Sequence, residues 1–290
     1  MGAAKKNTPG SSDAPRVPVA GIGASAGGIE ALREFFDALP NDLGLAYVVV
    51  VHLAPHHESE LTSILARRTR MNVVEVDDNK KLPLQANSVY VIAPDRKLVI
   101  TDNMVGAGPF PDPPGRRSAI DLFFRSLADS YGDGFAVILS GGGSDGAVGA
   151  KAVKEAGGVV LVQDPREAAH EGMPRAVIAA EVADIVLPVR ELALRLAQLA
   201  QSRAQLTPLM QSPNADSAID DGDEAALRRI FELIRSRTGH DFSRYKRATI
   251  LRRLALNILR ASPDRKSIRL KIKRACWDNA YLLAILSHMR

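Results

Sequence analysis

A serine flanked by small residues follows the first apolar run of the chain. The run Val19-Ala20-Gly21-Ile22 continues as Gly23-Ala24-Ser25-Ala26-Gly27 and leads into a helical pattern. The G-x-S-x-G spacing is typical of a nucleophile elbow, a sharp turn that exposes a serine hydroxyl above a sheet. The glycines also fit a turn that binds a dinucleotide pyrophosphate at a helix N-terminus; these are Gly21, Gly23, Gly27 and Gly28. The motif alone leaves three interpretations open: a catalytic serine, a phosphate cradle and a structural turn.

His52 directly follows the next apolar run, Val48-Val49-Val50-Val51. If the two runs are parallel neighbours joined by a right-handed crossover, Ser25 and His52 both emerge at the carboxyl edge of the sheet. A histidine suits a general base at neutral pH, whereas a dinucleotide site has an acidic residue near this point. His56 and His57 resemble exposed residues at a helix start. Because no matching ligands occur elsewhere, we predict no metal site from these histidines.

Asp145 follows a third strand pattern, within Leu139-Ser140-Gly141-Gly142-Gly143-Ser144-Asp145-Gly146. Taken alone, an aspartate at the start of a helix is more often an ordinary N-cap. Together with Ser25 and His52 it forms, at three strand ends of one sheet, the set that orients an imidazole and activates a hydroxyl. The order Ser, His, Asp differs from the Ser, Asp, His order of α/β-hydrolases.

In these motifs the chain resembles the chemotaxis protein-glutamate methylesterases of the CheB type, over about residues 17–200. The landmarks follow the family's order, and Gly172-Met173-Pro174-Arg175 is the last of them. The resemblance implies Ser25 as the nucleophile, His52 as the general base and Asp145 as the acid that orients it. It also implies hydrolysis of glutamyl methyl esters on methyl-accepting chemotaxis receptors, with release of methanol, and in some members deamidation of receptor glutamines.

Two residues depart from the family's pattern. Ala26 stands where threonine commonly follows the nucleophile, and Gly142 stands where methionine is common, three residues before the aspartate. Backbone N–H groups at either position would still line an oxyanion hole, because a main-chain donor does not depend on the side chain. We therefore expect Ala26, Gly142 and Met173 to form the oxyanion and substrate loops.

Residues 224–260 carry a second resemblance, to the small N-terminal helical domain of CheR-type chemotaxis receptor methyltransferases. The match fades after about Arg260, and residues 261–290 form a divergent tail without room for an S-adenosylmethionine-binding unit. We therefore expect a truncated or frame-shifted fusion of the two proteins, with a divergent natural C-terminus as the alternative. The resemblance rests on Phe231-Glu232-Leu233-Ile234, Thr238-Gly239, Phe242, Tyr245-Lys246 and Arg252-Arg253-Leu254.

Apolar runs alternate with amphipathic helical patterns along the rest of the chain, as in βα units. Because the runs are apolar throughout, both sheet faces are expected to be buried. The predicted fold is α/β, a doubly wound, mostly parallel sheet with one antiparallel hairpin near an edge, plus a small C-terminal all-α segment. The hairpin is placed between Ser88–Ile92 and Lys97–Thr101, and a long loop at residues 102–115. The predicted divisions are a disordered N-terminus at 1–16, the esterase-like domain at 17–200, a linker at 201–223, the helical domain at 224–260 and the tail at 261–290.

Composition limits the remaining possibilities. The single cysteine, Cys276, excludes an internal disulfide and suits a reducing compartment. The chain shows neither a signal-peptide pattern nor an apolar run of about 18 residues, so we expect a cytoplasmic protein without membrane insertion.

The net charge of +5 is concentrated in residues 220–290, with 17 Lys/Arg and 8 Asp/Glu. We interpret it as a solvated helix face, and predict no nucleic-acid partner and no cofactor. The alternative to an esterase is a noncatalytic module that binds a chemoreceptor or a nucleotide.

Overall fold

The computed structural model of the protein describes residues 16–51, 60–78, 81–93, 96–110 and 118–211. Strands and helices alternate along most of this part of the chain, as expected for βα units. In chain order the elements are β1 (Val19–Ala24), α1 (Gly28–Ala38), β2 (Ala46–Val51), α2 (Leu61–Ala66), β3 (Asn72–Val76), β4 (Leu82–Pro83), β5 (Ser88–Ile92), β6 (Lys97–Thr101), β7 (Met104–Gly108), α3 (Ala119–Ser130), β8 (Phe135–Ile138), α4 (Ala147–Ala156), β9 (Val159–Gln163), α5 (Gly172–Ala179), β10 (Ile185–Leu187) and α6 (Val189–Gln211).

Seven of the strands form one parallel sheet, in the order β10-β9-β8-β1-β2-β5-β3. The central strand β1 pairs with β2 on one side and with β8 on the other. The chain therefore leaves β1 toward one edge of the sheet and returns to the other side of β1 at β8. Open α/β sheets bind ligands beside such a reversal, at the carboxyl ends of the strands. The loops that follow β1 and β8 lie at this position.

Both faces of the parallel sheet are buried, as the apolar runs predicted. On β2, Tyr47 and Val49 belong to the hydrophobic cluster that includes residues of α1 and α6, whereas Val48 and Val50 belong to the cluster that includes residues of α3 and α4. All four side chains are fully buried. Since alternate residues of a strand face opposite sides of a sheet, one layer of helices covers each face. The predicted doubly wound α/β fold is confirmed.

Helix α3 packs directly on the central strand because two residues of β1 lack side chains. A Cβ atom on Gly21 would lie 2.5 Å from Phe123 Cε1 and 2.9 Å from Phe124 Cε1. A Cβ atom on Gly23 would lie 2.5 Å from Ile120 Cγ2. Gly21 and Gly23 therefore lie within β1 against side chains of α3, and not in the turn where a pyrophosphate would bind. This placement argues against the phosphate-cradle interpretation of the motif.

The antiparallel part of the fold is a separate three-stranded sheet, in the order β4-β7-β6. The predicted hairpin is present, but its strands differ from those expected: β6 pairs with β7 rather than with β5. The turn consists of Asp102 and Asn103, whose φ angles are 52° and 60°, and Asp and Asn tolerate the positive φ that two-residue hairpin turns need. β5 instead lies parallel to β2 and β3. The predicted loop at 102–115 therefore contains a strand.

Helix α6 extends farther than predicted and includes residues 201–211, which were placed in the linker. Arg203 fixes this part of the helix to the sheet: Nη2 lies 2.7 Å from Asp133 Oδ2, and the guanidinium lies 5.9 Å from the centre of the Phe135 ring. Among the described residues, no helix combines the length and the apolar character needed to cross a membrane. The predicted helical domain at 224–260 and the tail at 261–290 lie outside the described residues.

We expect Gly21→Ala to lower the free energy of unfolding by about 1–3 kcal/mol, because the added methyl group overlaps two phenylalanine rings in a close-packed layer. Gly108→Ala is the matched control, since Gly108 also lies in a strand but a Cβ atom there would meet only Lys97 Cε, at 4.0 Å. Urea unfolding followed by circular dichroism measures both variants. Equal stability of the two variants would contradict the packing of α3 on β1.

Candidate active site

Ser25 lies in a three-residue turn between β1 and α1. Gly27 has a φ of 69°, a left-handed conformation that glycine adopts without strain. The Gly28 N–H donates to the Ser25 carbonyl at 2.8 Å, and a Cβ atom on Gly28 would lie 2.6 Å from Ala24 Cβ. These glycines allow the chain to pass from strand to helix within three residues. Ser25 is half-buried and Ala26 is exposed, so the serine occupies the sharp strand-to-helix turn that a nucleophile elbow requires.

The loop that follows β8 packs against this turn. The Ser140 carbonyl accepts a hydrogen bond from the Ser25 N–H at 2.9 Å. Gly141 approaches still more closely, because a Cβ atom there would overlap Met173 Sδ and lie 3.0 Å from Ser25 Cβ. Only a residue without a side chain fits between Ser25 and Met173. The loops after β1 and β8 are therefore held in contact at the switch point of the sheet.

Asp145 lies farther along the same loop, and its carboxylate binds the start of α3. Oδ2 accepts from the Ile120 N–H at 3.1 Å, and Oδ1 accepts from the Asp121 N–H at 3.0 Å. The N-cap position of the following helix, α4, is Gly146. Asp145 is thus a helix cap, but for α3 and not for the helix that it precedes. Asp121 completes a reciprocal pair, since its Oδ1 accepts from the Gly149 N–H of α4 at 2.7 Å.

Opposing effects act on the charge of Asp145. Burial raises the pKa of its carboxyl group above the ordinary value of 3.8, and the negative charge of Asp121 also raises it. The N–H groups of Asp121 and Ile120 act in the other direction, because they stabilise the ionised form. Burial is the largest effect, so the pKa is raised. The N–H groups at the start of α3 therefore offset part of the free-energy cost of ionising this carboxyl group.

His52 lies outside the described residues, as do His56 and His57. The strand before it, β2, ends at Val51, which pairs with Ala24 in the parallel register of β1 and β2. The two strands therefore end at the same level of the carboxyl edge. In the part of the chain that the structure describes, no group of three or more His, Cys, Asp or Glu side chains is placed to hold a metal ion.

The three predicted oxyanion and substrate-loop residues have different surroundings. Ala26 and Gly142 are exposed, and a Cβ atom on Gly142 would meet no atom within 4 Å. Met173 is fully buried, and its N–H donates to the Gly141 carbonyl at 2.8 Å. Met173 therefore contacts Gly141, and its N–H is already bonded; its role in a substrate loop stays a prediction.

Two residues near Ser25 have a place in this site that the sequence analysis did not assign. Ser140 is 1% exposed and lies directly behind the Ser25 turn. His170 is exposed, its Cδ2 lies 3.4 Å from the position of a Cβ atom on Gly27, and its carbonyl accepts from the Gly141 N–H at 2.9 Å. A hydroxyl at the start of the glycine run was the available signal for Ser140. His170 belongs to the loop between β9 and α5, and no local pattern connects it with Ser25.

We expect Asp121→Asn to lower the pKa of Asp145, because the substitution removes a nearby negative charge while the amide oxygen still accepts from the Gly149 N–H. The carbon-13 shift of the Asp145 carboxyl group, followed by NMR against pH, measures this change. Asp129→Asn is the control, since Asp129 is an exposed residue of the same helix. If both substitutions change the Asp145 pKa equally, the assigned effect of the Asp121 charge on Asp145 is wrong.

The raised pKa of Asp145 also makes the stability of the fold depend on pH. The pKa of Asp145 is higher in the folded than in the unfolded chain, so the folded state holds the proton more tightly. The resulting stabilisation of the folded state is complete below the pKa that Asp145 has in the unfolded chain. It is lost as the pH rises through the pKa that Asp145 has in the folded chain. We expect this loss to be smaller in the Asp121→Asn protein, and thermal unfolding at several pH values tests it against Asp129→Asn. A loss of equal size in both variants would count against the assigned role of the Asp121 charge.

Comparisons with known proteins agree with this geometry. The family model described as CheB methylesterase matches residues 20–196. The model described as CheR methyltransferase, all-alpha domain, matches residues 225–260. The second match confirms the predicted resemblance of that segment.

Two relatives and one solved structure give the extent of the similarity. A protein-glutamate methylesterase/protein-glutamine glutaminase of Nocardioides is 37% identical over 193 residues, which are 64% of this chain and 52% of that protein. One of Anaeromyxobacter dehalogenans is 36% identical over 187 residues, 64% of this chain and 54% of that protein. The CheB methylesterase catalytic domain of Thermotoga maritima matches with a TM-score of 0.57 and 30% identity, over 63% of this chain and 98% of that domain. The chain thus spans about half the length of the two relatives and nearly all of the catalytic domain. The family model described as CheB methylesterase also matches more than half of the residues of this chain. The chain therefore belongs to the CheB methylesterase family.

Proposed function

We propose that this chain is a serine carboxylesterase that hydrolyses glutamyl methyl esters on methyl-accepting chemotaxis receptors. The observation that carries the proposal is the contact between the Ser25 turn and the loop of Asp145, at the switch point of a CheB-type sheet. Both relatives are named for hydrolysis of glutamyl methyl esters and of glutamine amides. The receptor as substrate follows from the family resemblance.

In the proposed reaction the Ser25 hydroxyl attacks the ester carbonyl, and His52 takes the hydroxyl proton. The tetrahedral intermediate then expels methoxide, to which His52 returns the proton, so that methanol leaves and an acyl-enzyme remains. Water gives a proton to His52, attacks the acyl-enzyme and releases glutamate and the free Ser25 hydroxyl. A general base of this kind contributes about 10²- to 10⁴-fold in rate. The role of His52 is supported by its position after β2 and by the family resemblance.

Asp145 is the proposed partner that orients His52. Each oxygen of a carboxylate has about two lone-pair positions, and each oxygen of Asp145 accepts one N–H from the start of α3. The Gly146 N–H also bonds to this carboxylate, so about one of the four acceptor positions remains for an imidazole N–H. Because a helix end holds the carboxylate, the direction of these positions is set by the fold, which suits a group that must keep an imidazole in one orientation.

The N-terminus of α1 is the proposed source of oxyanion stabilisation. In a trans peptide the carbonyl and the N–H point in opposite directions. The Gly28 N–H holds the Ser25 carbonyl on the helix side at 2.8 Å, so the Ala26 N–H points the other way. This N–H and that of Gly142 are the proposed donors, each worth about 3 kcal/mol in the transition state. Both are main-chain groups, so alanine and glycine at these positions are compatible with activity.

The same arrangement supports deamidation of receptor glutamines. A glutamine side chain presents a carbonyl at the same position, and ammonia takes the place of methanol as the leaving group. We place both reactions in the cytoplasm, on the methylated cytoplasmic helices of the receptors.

We expect the purified chain to release methanol from methylated chemoreceptor membranes, and Ser25→Ala to lower the rate by about 10⁴-fold or more, because no other group supplies the attacking oxygen. Gas chromatography of the released methanol measures the rate. Ser202→Ala is the matched control, since Ser202 is also half-buried but lies in α6. Its rate should stay within about twofold of the unsubstituted chain, as is usual for changes away from a site.

The two possible failures of this experiment have different meanings. Methanol release that survives Ser25→Ala would overturn Ser25 as the nucleophile. A folded chain that binds the receptors but releases no methanol would overturn the esterase and favour the noncatalytic binding module.

We expect the chain to release ammonia from receptors that carry glutamine at the methylation sites. Ser25→Ala should abolish this release together with methanol release, because both reactions need the same attacking oxygen. A coupled glutamate dehydrogenase assay measures the ammonia, with Ser202→Ala as the control. Ammonia release that persists without Ser25 would assign deamidation to another site.

A further inference from the structure

The hydroxyl of Ser140 joins three loops at the carboxyl edge of the sheet. Its Oγ donates to the Ala26 carbonyl at 2.8 Å and accepts from the His170 N–H at 3.0 Å. Ala26 belongs to the loop after β1, Ser140 to the loop after β8 and His170 to the loop after β9. Ser140 is 1% exposed, so water does not compete for these hydrogen bonds.

The main chain of Ser140 is held as firmly as its side chain. Its N–H donates to Gln163 Oε1 at 2.8 Å, and its carbonyl accepts from the Ser25 N–H at 2.9 Å. Gln163 is itself 3% exposed, and its Nε2 donates to Glu167 Oε2 at 3.3 Å. The hydroxyl therefore projects from a rigid support and cannot simply follow a displaced Ser25 turn.

Ser140 holds the Ser25 turn at two points that are one residue apart. Its carbonyl binds the Ser25 N–H, and its hydroxyl binds the Ala26 carbonyl. Since the carbonyl and the N–H of a trans peptide point in opposite directions, a fixed Ala26 carbonyl also fixes the direction of the Gly27 N–H. The Ser140 hydroxyl thus acts on the Ala26–Gly27 peptide plane, at the start of α1.

We propose that Ser140 is a positioning residue for the esterase reaction, because its buried hydroxyl fixes the turn that carries the Ser25 nucleophile and the N–H groups beside it. The inference rests on the proposed function. Ser140 acts through Ala26, because its hydroxyl is buried and bonded to the Ala26 carbonyl. A displacement of a reacting group by about 1 Å costs on the order of 10²-fold in rate, whereas receptor binding elsewhere on the surface is unaffected.

Ser126 offers a matched control for the loss of a bonded hydroxyl. Its Oγ donates to the Phe123 carbonyl at 2.8 Å and accepts from the Ile100 N–H at 3.1 Å. Ser126 thus makes the same two kinds of hydrogen bond as Ser140, but it joins α3 to β6 of the small sheet. A merely structural role for Ser140 predicts the same behaviour for both serines.

The test compares the full chain with its Ser140→Ala and Ser126→Ala variants. Steady-state methanol release from methylated receptor membranes gives kcat and KM, and thermal unfolding gives Tm. We expect Ser140→Ala to lower kcat by about 10- to 100-fold with KM unchanged within about twofold. Ser126→Ala should leave kcat within about twofold, while both substitutions lower Tm by a few degrees.

A second pair of variants keeps the test decisive if Ser140→Ala does not fold. Threonine and valine have nearly the same shape, but only threonine carries a hydroxyl. We therefore expect Ser140→Thr to retain a kcat at least about tenfold higher than that of Ser140→Val.

Each outcome separates the inference from the proposed function. If the unsubstituted chain releases methanol and Ser25→Ala abolishes this release, the esterase activity is established, whatever the Ser140 variants do. With that in place, an equal kcat in Ser140→Ala and Ser126→Ala, or in the Thr and Val variants, would overturn the positioning role. A loss confined to KM would overturn it as well. A folded, unsubstituted chain without esterase activity would overturn the proposed function and this inference with it.

Discussion

The hydrogen bond from the Ser25 N–H to the Ser140 carbonyl is the interaction on which the candidate active site depends. It joins the loops after β1 and β8, which are neighbours in the sheet although they are far apart in the sequence. Parallel pairing brings the carboxyl ends of these strands to one edge, but it does not orient the loops that follow. The bond, together with the hydroxyl of Ser140, makes the two loops a single unit. Ser25 and Asp145 therefore belong to two loops that are bonded to each other.

Two helix N-termini lie at this edge of the sheet, and each can stabilise a negative charge. α3 donates two N–H groups to the Asp145 carboxylate and so opposes the effect of burial, which raises the pKa of that group. α1 begins beside Ser25, where the proposed reaction would form an oxyanion. A buried charge without such donors costs several kcal/mol. The same property of helix ends therefore stabilises the ionised form of Asp145 and would stabilise the oxyanion of the proposed reaction beside Ser25.

Local sequence patterns predicted most of the elements, and the bounds of β5 and β6 agree with the prediction. Continuously apolar runs favour strands that are buried on both faces, and this led to the parallel sheet. The partner of β6 was predicted wrongly, since a strand pattern does not identify the strand that pairs with it. The extent of α6 was also underestimated, because Arg203 bonds to Asp133, which lies in another part of the chain.

The sequence by itself determined the fold class, the family and the serine turn, because glycine spacing and apolar periodicity are local properties of the chain. Only the tertiary structure decided what surrounds that turn. Asp145 precedes α4 in the sequence but caps α3, and Met173, next to a glycine in a family motif, is buried behind Gly141. The Ser140 hydroxyl acquires its partners only when three loops meet. Each of these contacts depends on how the strands are ordered, and strand order depends on the packing of the whole sheet rather than on neighbouring residues.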